Sequence, residues 1–129
     1  MSYLENTINQ IIEEQNIPFE WNSLIDQELK NIKLKDNLNR KDLTKDPFIT
    51  IDGEDARDFD DAVFCNQNKS SYTLKVAIAD VASVVSYNSE LDKEAFKRGT
   101  SIYFPNTVIP MLPEMISNNI CSLVPNEKR

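Results

Sequence analysis

Six of the ten residues from Asp52 to Asp61 are carboxylates, with Arg57 as the one cation among them. Such a segment repels itself, because two exposed carboxylates ~6 Å apart cost about 0.7 kcal/mol in bulk water and more where water is thinned. Its flanks are of a different kind. Phe48-Ile49-Thr50-Ile51 precedes it and Ala62-Val63-Phe64-Cys65 follows it, both short, apolar and partly β-branched, the pattern of strands in contact with a core. Composition alone favours a plain solvated acidic surface, but a loop tied at both ends to a core, with Phe59 inside it, is hard to leave wholly in water. A divalent cation would neutralise the converging charge. Oxygen ligands without His or Cys suit Mg²⁺ or Mn²⁺, which keep several waters and accept phosphate oxygens as further ligands.

What the chain lacks narrows its chemistry further. It has no histidine, so Ser-His-Asp and Cys-His nucleophile arrangements and His-containing zinc sites cannot be assembled from it. Gly53 and Gly99 are its only glycines, too few for a phosphate-binding P-loop or a dinucleotide fingerprint. Cys65 and Cys121 lie far apart in sequence and fit neither a disulfide framework nor a metal spacing, which reads both as small buried apolar residues. The net charge of −7 argues against a broad basic surface for nucleic acid. With 129 residues, no apolar run of membrane-spanning length and no export signal at Met1-Ser2-Tyr3-Leu4, a soluble cytoplasmic protein is expected.

Periodicity divides the chain into a helical front and a strand-rich remainder. Leu4, Ile8, Ile11 and Ile12 share one helical face, with Asn16 and Pro18 as the stop. A second helix is expected from Ser23, where Ser23-Leu24-Ile25-Asp26 resembles a capping box and Leu24, Ile25, Leu29 and Ile32 supply apolar contact. Lys35 to Lys41 reads as a linker. Beyond Pro47 the period falls towards two, with strands expected at Phe48–Ile51, Ala62–Cys65 and, alternating most cleanly, Tyr72–Ile78. Ser89 starts a further helix with Leu91, Ala95 and Phe96 as its stripe and Gly99 as its stop, and Ile102-Tyr103-Phe104 is another strand. Pro105, Pro110 and Pro113 then limit regular structure, apart from a short helix from Pro113 through Ser117.

A calcium loop is a poor fit to the acidic segment. Counted from Asp52, the EF-hand template meets Ala56 at its fifth position, Arg57 where Gly is needed and Val63 where Glu is needed. The whole run from Thr50 to Val63 instead resembles the signature of the RNB catalytic domain of the ribonuclease II/ribonuclease R exoribonuclease family, in wording nearest the ribonuclease R branch. Val76-Ala77-Ile78-Ala79-Asp80-Val81, Arg98-Gly99-Thr100-Ser101-Ile102-Tyr103-Phe104-Pro105, Ile109-Pro110-Met111-Leu112-Pro113-Glu114 and Ser117-Asn118-Asn119-Ile120-Cys121-Ser122-Leu123 follow in the family's order.

The resemblance implies an α+β fold, a mixed or antiparallel sheet with packed helices. Residues 1–40 would be a helical lead-in and residues 41–129 the front portion of the catalytic domain, without the flanking OB-fold RNA-binding domains. It implies a hydrolytic 3′→5′ exoribonuclease that draws in single-stranded RNA and releases 5′-nucleoside monophosphates, with Mg²⁺ as cofactor and Mn²⁺ as a substitute. By the same resemblance Asp52 and Asp61 would ligate the metal directly, and Asp58 and Asp60 would complete the site and act in catalysis. Tyr103 would stack on a base near the RNA 3′ end, its alternative being an aromatic core residue on a strand. Neither DNA nor a membrane is an expected partner, and no protein partner is indicated. Asp80 reads either as support for the acidic loop or as a strand-end turn residue; Arg57 and Arg98 either contact phosphate or balance carboxylates. Because the family's domain runs on beyond Arg129, adding a catalytic arginine, the isolated chain is expected to be inactive. The rival reading is a non-catalytic remnant that binds a metal or a protein.

Overall fold

The computed structural model describes residues 3–34, 39–54 and 56–129. In chain order the elements are α1 (Tyr3–Glu14), α2 (Ser23–Leu29), β1 (Asp61–Gln67), β2 (Tyr72–Ile78), α3 (Val81–Val84), α4 (Glu90–Arg98), β3 (Ile102–Phe104), β4 (Thr107–Ile109) and a π-helical segment, Met115–Ile120. This is the expected α+β class, with two antiparallel hairpins, β1–β2 and β3–β4. The chain forms two compact units, each built from two stretches: Met1–Asn31 with Ser86–Pro113, and Ile32–Val85 with Glu114–Arg129. The expected linker falls partly outside the described residues, which omit 35–38.

The first unit packs around Ile8, Ile25, Leu91, Ile109 and Leu112. Helix α1 ends as its sequence predicts, at Asn16, whose φ of 50° is the left-handed conformation Asn tolerates after a last turn. Helix α2 is capped one residue earlier than expected. Asn22 Oδ1 accepts from the amides of Leu24 and Ile25, both at 3.0 Å, so Ser23 is the first helical residue rather than the cap. With two turns only, α2 turns a single apolar side inward: Ile25 is fully buried and Leu24 is half exposed. Ser89 caps α4 through the Asp92 amide, and the Glu28 carboxylate accepts from the amides of Glu90 and Leu91 at 2.8 and 2.9 Å. Two orphan donors of α4 are thus met by a charge that its N-terminal dipole favours. Gly99 ends the helix at φ 73°. Phe96, expected on the packed stripe, is 89% exposed, because its direction is rotated ~140° from that of Leu91 along a 3.6-residue helix. Strand β4, not anticipated between Pro105 and Pro110, fits because its three residues need no amide from either proline.

The second unit is built on the seven-residue register from Asp61↔Ile78 to Gln67↔Tyr72. Cross-strand pairs share a face, so Ala62, Phe64, Lys75 and Ala77 form one side. On that side Ala62 is buried and the Phe64 ring meets Phe48 at 6.0 Å and the Lys75 ammonium at 5.4 Å. Tyr72, Leu74, Val76 and Ile78 share the opposite side, as their alternation predicts, yet all four are exposed. Cys65 pairs with Leu74 on that side and is exposed too, whereas Cys121 is buried; the expectation for Cys65 fails because it lies on the uncovered face. The expected strand Phe48–Ile51 reduces to one bridge, in which Ile49 and Val63 exchange bonds of 3.0 and 2.8 Å. Phe48 bonds instead to Asp46, and Ile51 swings out to 81% exposure, so pairing cannot propagate. The expected Pro113–Ser117 helix appears later and wider, with the Cys121 amide reaching back five residues to Ile116 O at 2.9 Å.

Candidate active site

The acidic segment crosses the second unit from the Ile49–Val63 bridge to the first residue of β1. Asp61 opens the strand, paired with Ile78, and Asp60 immediately precedes it. Side chains therefore leave a backbone held at several points. The Ser122 hydroxyl accepts from the Phe59 amide at 3.0 Å and donates to Arg57 O at 3.3 Å. The Leu123 amide donates to Phe59 O at 2.9 Å, and the Ala79 amide to Asp60 O at 2.8 Å. A turn at the start of the segment is closed by the Ala56 amide on Gly53 O at 3.0 Å.

Asp52, Asp60 and Asp61 are exposed and Asp58 is partly buried. The Asp60 carboxyl is raised above the ordinary range for aspartate, by partial burial first and then by the charges of Asp58, Asp61 and Asp52. Asp52, Asp58 and Asp61, the other three aspartates singled out in the sequence, thus each act electrostatically on Asp60. Among the described residues, no ion pair engages any of them. Among those residues, no group of three acidic or cysteine side chains is placed so that it could hold a metal ion. Glu54 is exposed, as expected, and Asp55 lies outside the described residues. The segment is an open surface: a cleft of about 380 Å³ in the same unit is lined by Lys41, Asp42, Leu43, Lys45, Asp46 and Lys75, and by none of the four aspartates.

The remaining candidates separate clearly. Asp80 caps α3 through the Ser83 amide at 3.2 Å and pairs with Arg40, so the turn reading describes it. The Cys121 thiol is pushed up by burial first and then by the charge of Asp80, with Arg129 opposing and Asp60 adding to the shift. Arg98 is structural. Its guanidinium lies 3.5 Å from the Trp21 ring and donates to Glu94 at 3.0 Å, Pro110 O at 3.0 Å and Glu20 O at 2.9 Å. Tyr103 belongs to the first unit, on β3 opposite Val108, and is 69% exposed. Sequence reasoning missed Ser122. A serine between Cys121 and Leu123 has no periodic pattern of its own; the available signals were its place in the Ser117–Leu123 run and its polarity within an apolar stretch.

The sequence matches the RNB domain family over residues 40–129. This chain belongs to the RNB family. It is 49% identical over 123 residues to ribonuclease R of Vibrio parahaemolyticus, an overlap of 92% of this chain and 15% of that protein. Against ribonuclease R of Escherichia coli it is 48% identical over 118 residues, 88% of this chain and 14% of that protein. The fold agrees. Mycoplasma genitalium RNase R in complex with double-stranded RNA superposes with a TM-score of 0.89 at 39% identity, over 95% of this chain and 23% of that one. The same RNase R in complex with ribose-methylated single-stranded RNA gives 0.88, over 95% and 20%. The chain therefore spans about a seventh of the length of these curated relatives.

Proposed function

We propose that this chain carries the metal-binding front of a hydrolytic 3′→5′ exoribonuclease, acting on single-stranded RNA and releasing 5′-nucleoside monophosphates. The observation that supports it most is the acidic segment itself, with Asp52, Asp58 and Asp61 acting on Asp60 from a tethered backbone, within a family match from residue 40 onward. Asp52 and Asp61 would hold Mg²⁺, with Asp58 and Asp60 completing the site. Bound there, the metal would supply activation of water and stabilisation of charge on the phosphate and the leaving oxygen.

The chain's own residues have simpler tasks. The carboxylates set a negative potential that excludes the RNA backbone unless a cation is present, which couples substrate approach to metal. Asp60, whose proton affinity is raised by partial burial and by its acidic neighbours, would serve as a proton acceptor near the attacking water. Tyr103 offers an exposed ring on which a base can stack, worth ~1–3 kcal/mol and indifferent to sequence.

One observation favours a second reading, a non-catalytic remnant of such an enzyme: among the described residues no three acidic side chains are placed to hold a metal ion. A chimera separates the two, with this chain replacing the matching 118-residue stretch of the E. coli ribonuclease R. The expected result is Mg²⁺-dependent release of 5′-mononucleotides from 3′-tailed single-stranded RNA, with the 129-residue chain alone inactive. A chimera that binds RNA yet releases nothing would support the non-catalytic remnant.

A further inference from the structure

Four like charges on a loop relax by spreading, so the backbone beneath them needs fixed points if they are to meet one ion. Those points come from residues distant in sequence, and one side chain among them acts on both sides of a candidate ligand. The Ser122 hydroxyl accepts from the Phe59 amide and donates to the Arg57 carbonyl, bracketing Asp58. A hydroxyl can do this because it donates and accepts at once, which neither Ala nor an amide-only donor can.

Ser122 is itself held in place. It is 0% exposed, its neighbour Leu123 donates to Phe59 O at 2.9 Å, and Arg129 Nε donates to Ser122 O at 3.0 Å. Water cannot easily replace the lost hydroxyl in a site so enclosed, and the amide and carbonyl on either side of Asp58 would be left unpaired. We propose that Ser122 is a positioning residue for the metal site, setting the affinity of the acidic segment for a divalent cation by fixing the backbone around Asp58 against carboxylate repulsion. The proposal rests on the metal-binding reading above. Partners that orient metal ligands from behind commonly change metal affinity 10–100-fold when removed, and the expected loss for Ser122→Ala is about tenfold.

The test is Mn²⁺ titration of the 129-residue chain by water-proton relaxation, comparing wild type, Ser122→Ala and Ile116→Val. Ile116 is equally buried in the same unit but makes no bond to the segment, so it reports what mere destabilisation does. Weaker binding by Ser122→Ala alone supports the proposal; equal binding by all three overturns it while leaving the metal reading intact. No binding by wild type overturns both. Should Ser122→Ala fail to fold, hydrogen exchange in the wild-type chain gives the answer, since coupling between sites is reciprocal. Mg²⁺ should slow exchange of the Phe59 amide about tenfold relative to amides of β2, and unchanged exchange would overturn the proposal.

Discussion

Arg98 and the Asp52–Asp61 segment are both strongly charged, and the chain treats them in opposite ways. The Arg98 side chain is 2% exposed and satisfied within its own unit: Glu94 for its charge, two carbonyls for its other donors and the Trp21 face beneath it. The four aspartates, three of them exposed and Asp58 partly buried, make no ion pair among the described residues, and the charges of the other three add to burial in raising the proton affinity of Asp60. A charge answered by the chain is architecture. A set of charges that the chain leaves without an ion-pair partner is where the proposed cation would act, and the backbone beneath it is tethered through Ser122, Leu123 and Ala79.

The sharpest way to break the comparison is to remove one charge from each region. In the chimera, Asp60→Asn should lower nucleotide release by roughly 10²–10³-fold, the range seen when one stabilising group is lost from a reacting centre, with RNA affinity nearly unchanged. Gel-shift and single-turnover release on the same preparation check both halves, and comparable release by the variant would end the assignment. Arg98→Met should do the reverse. It leaves Glu94 and two carbonyls without their partner, a loss of about 2–4 kcal/mol in urea unfolding, while Mn²⁺ affinity stays put. Adding Glu94→Gln to Arg98→Met should recover part of that loss by removing the stranded charge.

Proton linkage provides a gentler probe. The folded-state pKa of Asp60 is raised, so between the ordinary aspartate value and the raised one the folded state binds more protons than the unfolded. The contribution of Asp60 to the stability of the metal-free chain is therefore full below the unfolded pKa and is lost as pH rises through the folded one. Asp60→Asn should flatten that part of the pH–stability profile, and so should saturating Mg²⁺, which favours the charged form. A profile identical in wild type and variant would show that the crowding at Asp60 has no thermodynamic weight.

Much of this was legible from residue pattern. The acidic segment, the strand Tyr72–Ile78, the caps at Ser89 and Gly99 and the left-handed Asn16 all follow from local chemistry, which is why they were readable without knowledge of neighbours. What escaped depends on partners distant in sequence. Ser122 acts on residues more than sixty positions earlier, Glu28 caps a helix sixty-two positions later, and Arg98 reaches Glu20, none of which leaves a periodic trace. The failure at Phe48–Ile51 has the same origin: its β-branched residues suit a strand, but pairing stops where the backbone turns away after Ile49.

The smallest expected effect concerns the uncovered side of β2, and it tests whether alternation alone can be equated with burial. Tyr72, Leu74, Val76 and Ile78 retain 70, 63, 53 and 67% of their surface in solvent, whereas Ile25 and Leu91 retain 0 and 1%. Free energy from apolar burial scales with area removed from water, so residues that keep over half their area contribute little to this chain's stability. Leu74→Lys should then change unfolding free energy by no more than about 0.5 kcal/mol, as at ordinary surface positions. Its visible effect should be on association, because four adjacent exposed apolar side chains form the kind of patch through which chains adhere. Sedimentation velocity over a concentration series should show less self-association for Leu74→Lys than for wild type. A stability loss of about 2 kcal/mol or more would instead mean that this face is covered in solution, and that the alternation had marked a buried surface after all.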